Sequence, residues 1–131
     1  MKIKSENGSE IENPSREDIK QAIDELDKDN SFAILEKEEQ HYVQTSGDSK
    51  NGFVLEYREG SDRSHFISKI TSLQADEITS AFIKFLENNT TFKSDFEWES
   101  LDQKDTRGCL GLILVFFLPF FMFSELAIWW A

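Results

Sequence analysis

The chain is poor in the residue types that usually carry chemistry. It has one cysteine, Cys109, so no disulfide can close within it. It has two histidines, His41 and His65, and both read as ordinary residues of strand-like stretches. Neither lies near a cysteine cluster or in an H-E-x-x-H pattern, so no zinc site is expected. No G-x-S-x-G surrounds a serine, and no G-x-x-x-x-G-K-[ST] or G-x-G-x-x-G occurs. Nucleophilic catalysis and nucleotide binding are therefore without support. The expectation is a protein that is not an enzyme, with no catalytic residue, no cofactor and no metal. One near-motif points at calcium: Asp27, Asp29, Ser31 and Glu38 fall at the ligand places of a calcium loop. Phe32, however, stands where the sharp turn of that loop needs glycine.

Positive charge is scarce as well. Fourteen Lys and Arg stand against 25 Asp and Glu, a formal net charge of −11. An acidic domain is a poor candidate for direct nucleic-acid binding. It suits a basic protein partner, which electrostatic steering would bring in. Glu36, Glu38 and Glu39 form one acidic run, Glu56 lies in a later strand, and Trp98 sits beside Asp95, Glu97 and Glu99. The candidate partner-binding residues are therefore Glu36, Glu38, Glu39, Glu56, Asp95, Glu97 and Trp98. The tryptophan would serve as an aromatic anchor, or as the plug of a small core, the commoner use of a lone tryptophan.

What the chain does have is a long apolar run. Gly108 to Ala131 carries a single ionisable side chain, Glu125, and offers no polar face to water. As a helix it would extend about 36 Å, more than the roughly 30 Å hydrocarbon core of a bilayer. Leu110, Leu112, Ile113, Phe116, Phe117, Phe120 and Phe121 would face lipid, with Trp129 and Trp130 as interfacial anchors. Pro119 would kink the helix, which membrane helices tolerate. Lys104 and Arg107 precede the run and no Lys or Arg follows it. The expectation is a single-pass membrane protein with a cytoplasmic N-terminal domain. The opening MKIKSENGSE lacks the apolar centre of a signal peptide.

Before that run, residues 1–12 are polar and read as a mobile N-terminus. Asn13-Pro14 reads as a helix start, and Ile19, Ala22, Ile23 and Leu26 follow at helical spacing. Four short alternating stretches come next: Ser31–Lys37, His41–Thr45, Phe53–Arg58 and Ser64–Ile70. Turn residues separate them at the spacing of an antiparallel meander. Thr71-x-x-Gln74 resembles a capping box, and Ile78, Ala81, Phe82, Phe85 and Leu86 form an apolar helical stripe. Phe92–Trp98 would add a short fifth strand. The expected fold is α+β: a small antiparallel sheet of four to five strands with two amphipathic helices packed on it, plus a C-terminal transmembrane helix. The expected division is 1–12, a domain over 13–98, a polar linker over 99–107 and a membrane segment over 108–131.

The ordered segments NPSREDIKQAIDEL, SFAILEKEEQHYVQT, GFVLEYREGSDRSHF, LQADEITSAFIKFLEN and FEW resemble one of the immunity-protein families of bacterial polymorphic toxin systems. This is the α+β family found beside deaminase-type and other nucleic-acid-attacking toxins. The resemblance spans residues 13–98 and rests on the order of elements, a Pro-led first helix, a strand ending in LEYREG and a late tryptophan. It implies a non-enzymatic protein that binds a cognate toxin and occludes its active site. Such families are usually soluble, so the apolar tail departs from the pattern and points to a membrane-tethered version. The competing expectation is a membrane-anchored adaptor that uses the acidic domain to dock an unknown partner.

Overall fold

Seven strands, not four or five, build the sheet. A computed structural model of the chain describes residues 1–60 and 64–101. The strands are β1 (Lys2–Ser5), β2 (Glu10–Glu12), β3 (Phe32–Glu38), β4 (His41–Asp48), β5 (Gly52–Glu59), β6 (His65–Ser68) and β7 (Trp98–Ser100). Their order across the sheet is β2-β1-β3-β4-β5-β6-β7. Strands β3 to β6 form the expected antiparallel meander, with Leu35 opposite Val43, Val43 opposite Tyr57, and Tyr57 opposite Phe66. Two of the additional strands, β1 and β2, come from residues 1–12, which read as a mobile N-terminus. There β1 pairs with both β2 and β3, and Ile3 lies opposite Ile11 on one side and Leu35 on the other. Ile3 is the one fully buried residue of β1. A strand with a single inward residue leaves almost no alternation in the sequence.

Two helices follow the amphipathic stripes. Helix α1 covers Arg16–Asp24 and buries Ile19 and Ile23; α2 covers Ala75–Leu86 and buries Ile78, Ala81, Phe82 and Phe85. The start of α1 lies one step beyond Asn13-Pro14. Asn13 takes φ 51°, and Ser15 caps the helix instead. The Ser15 hydroxyl accepts from the Asp18 N–H at 3.1 Å while the Asp18 carboxylate accepts from the Ser15 N–H at 2.9 Å, a reciprocal box. The box expected at Thr71 is likewise displaced: Gln74 is the cap, and the Glu77 carboxylate accepts its N–H at 2.8 Å. Residues expected as a fifth strand form a 3-10 turn, Thr90–Asp95, which plugs Phe92 into the core ahead of β7.

The core lies between one face of the sheet and the helices. Ile3, Ala33, Leu35, Val43, Phe53, Leu55 and Tyr57 meet Ile19, Ile23, Ile78, Phe82 and Phe85 in one buried cluster. Because side chains alternate along a strand, the odd set faces the helices and Ile34, Tyr42, Gln44, Val54, Glu56 and Arg58 take the other face. Among the described residues no helix covers that second face. Thr45 is polar on the core side, and its hydroxyl donates to the Val54 carbonyl at 2.8 Å. That bond satisfies a group whose burial would otherwise be costly.

The chain divides into a unit over Met1–Glu99 and another over Ser100–Ala131, and nearly all of the second lies outside the described residues. The expected membrane-facing side chains and anchors from Leu110 to Trp130 therefore lie outside them too. Among the described residues no helix is long and apolar enough to cross a membrane.

Candidate protein-binding surface

The acidic candidates do not converge on one site. Glu36 and Glu56 point to the face of the sheet opposite the helices. Glu38 ends β3, and Glu39 turns into β4. Asp95, Glu97 and Trp98 lie at the far edge, around the 3-10 turn and β7. The two halves of the list lie on different strands and have different surroundings.

On the helix-free face, cross-strand pairing sets side chains in rows. One row runs Glu12, Lys2, Glu36, Tyr42, Arg58, His65 across six strands, and the next runs Glu10, Lys4, Ile34, Gln44, Glu56, Ile67. Lys2 is paired to Glu10 at 3.1 Å and to Glu12 at 3.5 Å, and Lys4 to Glu36 at 3.4 Å. Glu36 is thus already answered within the sheet. Glu56 is not a surface acid: its side chain is 4% exposed, and its carboxylate bonds His65 Nε2 at 2.9 Å.

That bond belongs to a chain of four side chains. Arg58 Nη2 meets His65 Nδ1 at 2.9 Å, and Arg58 Nε donates to the Tyr42 hydroxyl at 3.2 Å. Guanidinium nitrogens only donate, so Nδ1 must accept and the imidazole proton sits on Nε2, aimed at Glu56. Burial pushes the Tyr42 hydroxyl above its ordinary pKa, with the Arg58 hydrogen bond opposing. The network knits β4, β5 and β6 together. It leaves His65 with its accepting nitrogen facing a cation rather than a nucleophile, so it does not have the form of a catalytic base. The sequence reading of both histidines as strand residues fits their places at the starts of β4 and β6; His41 stands edge-on to Phe85 at 5.6 Å.

At the other edge Trp98 packs inward. Its indole N–H donates to the Lys93 carbonyl at 2.8 Å, and its ring stands edge-on to Tyr57 at 4.7 Å. Asp95 is paired with Lys84 of α2 at 2.7 Å. Glu97 is exposed, and its carboxylate has no partner among the described residues; only its backbone carbonyl is used, by the Lys69 N–H at 2.9 Å. Beside it opens a cleft of about 450 Å³ lined by Ile70, Leu73 and Phe96 with Glu77, Asp95 and Glu97. Ile70 is 56% exposed and is the one exposed large apolar side chain among the described residues. Sequence reasoning missed it. The stretch Ser64–Ile70 reads as one strand, but β6 ends at Ser68.

The near-motif for calcium resolves into a turn. The Asp27 carboxylate accepts the backbone N–H groups of Asp29 and Asn30, both at 2.9 Å. No group of three or more His, Cys, Asp or Glu is placed to hold a metal ion among the described residues.

Comparison with protein-family models, with curated proteins and with solved structures finds no match to the chain.

Proposed function

We propose that the chain is a non-enzymatic, immunity-type binding protein that neutralises a cognate, basic bacterial toxin and is tethered to a membrane by Gly108–Ala131. The observation that carries this reading is the uneven pairing of charge. Lys2, Lys4, Arg16, Lys20, Lys84 and Lys93 are held in internal ion pairs, while Lys28, Lys37, Lys50 and Lys69 are exposed and stand in none of these pairs, fewer than the exposed acids that stand outside them. Glu38, Glu39, Glu97 and Glu99 are exposed, and their carboxylates pair with nothing among the described residues. With a formal charge of −11, the field that leaves the surface is acidic. Such a field speeds encounter with a basic partner and disfavours nucleic acid.

The order of helix, meander, helix and late tryptophan is the one on which the family resemblance rests. The apolar run then acts as the tether, and the acidic domain as the toxin's stopper on the cytoplasmic side.

The test is co-expression of the full chain with any toxin domain encoded beside it. Cells carrying the intact chain should survive induction of the toxin, and the two proteins should co-purify. Death of cells in which the chain is well expressed contradicts the reading. Co-purification with subunits of a membrane complex, without protection, would favour a membrane-anchored adaptor.

A further inference from the structure

Ile70 is held where it is. The buried Ser68 hydroxyl accepts the Leu55 N–H at 3.1 Å and donates to the Ile70 carbonyl at 2.9 Å. On one side of Ile70, the Lys69 N–H donates to the Glu97 carbonyl. On the other, Leu73 and Phe53 exchange both backbone bonds, at 2.9 and 3.0 Å. A large apolar side chain thus stands in water on a segment pinned at both ends. Its ordering cost is already met in the free protein, which is what makes a side chain an effective anchor for a partner. Beside it the cleft has an apolar floor, Leu73 and Phe96, and acids at Glu77, Asp95 and Glu97; Asp95 is held by Lys84 and Glu77 caps α2, which leaves Glu97 open, and among the described residues no Lys, Arg or His lines the cleft.

Two other recesses among the described residues lack this combination. The groove between the two helices is larger, about 760 Å³, but there Arg16 pairs with Glu87 and Lys20 with Asp24. The small recess beside His41 has its lysines engaged, Lys37 with Asn88 and Lys93 with Glu59.

We propose that the Ile70 cleft receives an arginine or lysine side chain of a basic protein partner. The alkyl stem lies along Ile70 and Phe96 and the charged head reaches Glu97. Long basic side chains have this divided character, an apolar stem under a hydrated charge. The proposal rests on the immunity-type reading for the partner's class, and it assigns the docking point that the reading leaves open.

The test uses the full chain in a nonionic detergent, labelled at isoleucine methyl groups, and an acetylated peptide of alternating leucine and arginine. On titration the Ile70 methyl and the Glu97 amide should shift first. Ile70→Ser and Glu97→Lys should each weaken binding by about tenfold or more, the loss expected of an interface anchor. Both side chains are exposed, so neither variant removes a core contact. Asp29→Lys makes the same charge change in a distant turn and should leave the affinity as it was. The proposal is overturned if Asp29→Lys weakens binding as much as Glu97→Lys, if the shifts map elsewhere, or if none occurs. This outcome is separable from the fate of the immunity reading. Protection by wild type and Ile70→Ser alike would remove the cleft and keep the function. Specific shifts at Ile70 without protection would do the reverse.

Discussion

The Ser68 hydroxyl donates to the Ile70 carbonyl at 2.9 Å while accepting the Leu55 N–H at 3.1 Å, so one buried side chain fixes both the end of β6 and the exposed isoleucine beyond it. Ser68 is 3% exposed and lines the inner end of the Ile70 cleft. Ser68→Ala leaves the Leu55 N–H without its partner and should cost about 1–3 kcal/mol. Denaturant unfolding checks the size of the loss. Hydrogen exchange at Leu55 and Lys69 should quicken more than at Phe82 on α2. Equal quickening at all three would mean that Ser68 supports the fold as a whole rather than this edge.

The two helices are joined at their ends by Arg16 and Glu87, whose bidentate contacts measure 2.6 and 2.9 Å. The Arg16 hydrogen bond holds the Glu87 carboxyl below its ordinary pKa, and the same pair raises the Arg16 guanidinium. A depressed carboxylate contributes stability that is present above its unfolded pKa and is lost as pH falls through the folded value. The contribution should therefore be complete at neutral pH and fade below about pH 4. Glu87→Gln should flatten that acid limb of the stability curve, and added salt should weaken the wild-type pair because both groups are exposed. An acid limb unchanged in Glu87→Gln would show that the pair does not form in solution.

Gly52 and Gly60 offer a matched comparison. Both have positive φ, 95° and 88°, but a Cβ on Gly52 would stand 2.6 Å from the Ser72 Cα while one on Gly60 would meet nothing within 4 Å. Gly60→Ala should cost about 1 kcal/mol from backbone strain alone. Gly52→Ala adds a clash with backbone and should cost about 2–3 kcal/mol or more. Equal losses by thermal unfolding would mean that the Gly52–Ser72 approach relaxes freely.

The Arg58–His65–Glu56 chain fixes a tautomer that can be read directly. Nitrogen NMR of neutral His65 should show the proton on Nε2, because Arg58 can only donate to Nδ1. Glu56→Ala should leave that N–H facing an empty space and destabilise the protein by about 1–3 kcal/mol. A proton on Nδ1 would refute the arrangement.

These particulars show which parts of the fold a reader of the sequence can reach. Phe53, Leu55 and Tyr57 alternate with Val54, Glu56 and Arg58, and the α2 stripe repeats at helical spacing, so both faces were legible before any coordinates. Strand β1 was not, because Lys2-Ile3-Lys4 buries one residue and its lysines are held by Glu10, Glu12 and Glu36 from two other strands. Register of that kind is a tertiary fact. The same is true of the candidate surface. Glu56 reads as an outward acid from alternation alone, yet His65 and its neighbours enclose it. Ile70 reads as the last residue of a strand because nothing local announces that β6 stops two residues earlier; the stop is imposed by Ser68 and by the Phe53–Leu73 pair.

Binding of a basic toxin by the acidic surface is read most directly from the association rate of the purified full chain with any toxin domain encoded beside it. That rate should fall steeply as salt is added, and by about tenfold or more when Glu38, Glu39, Glu97 and Glu99 are reversed to lysine. A rate indifferent to both salt and charge reversal would contradict such binding.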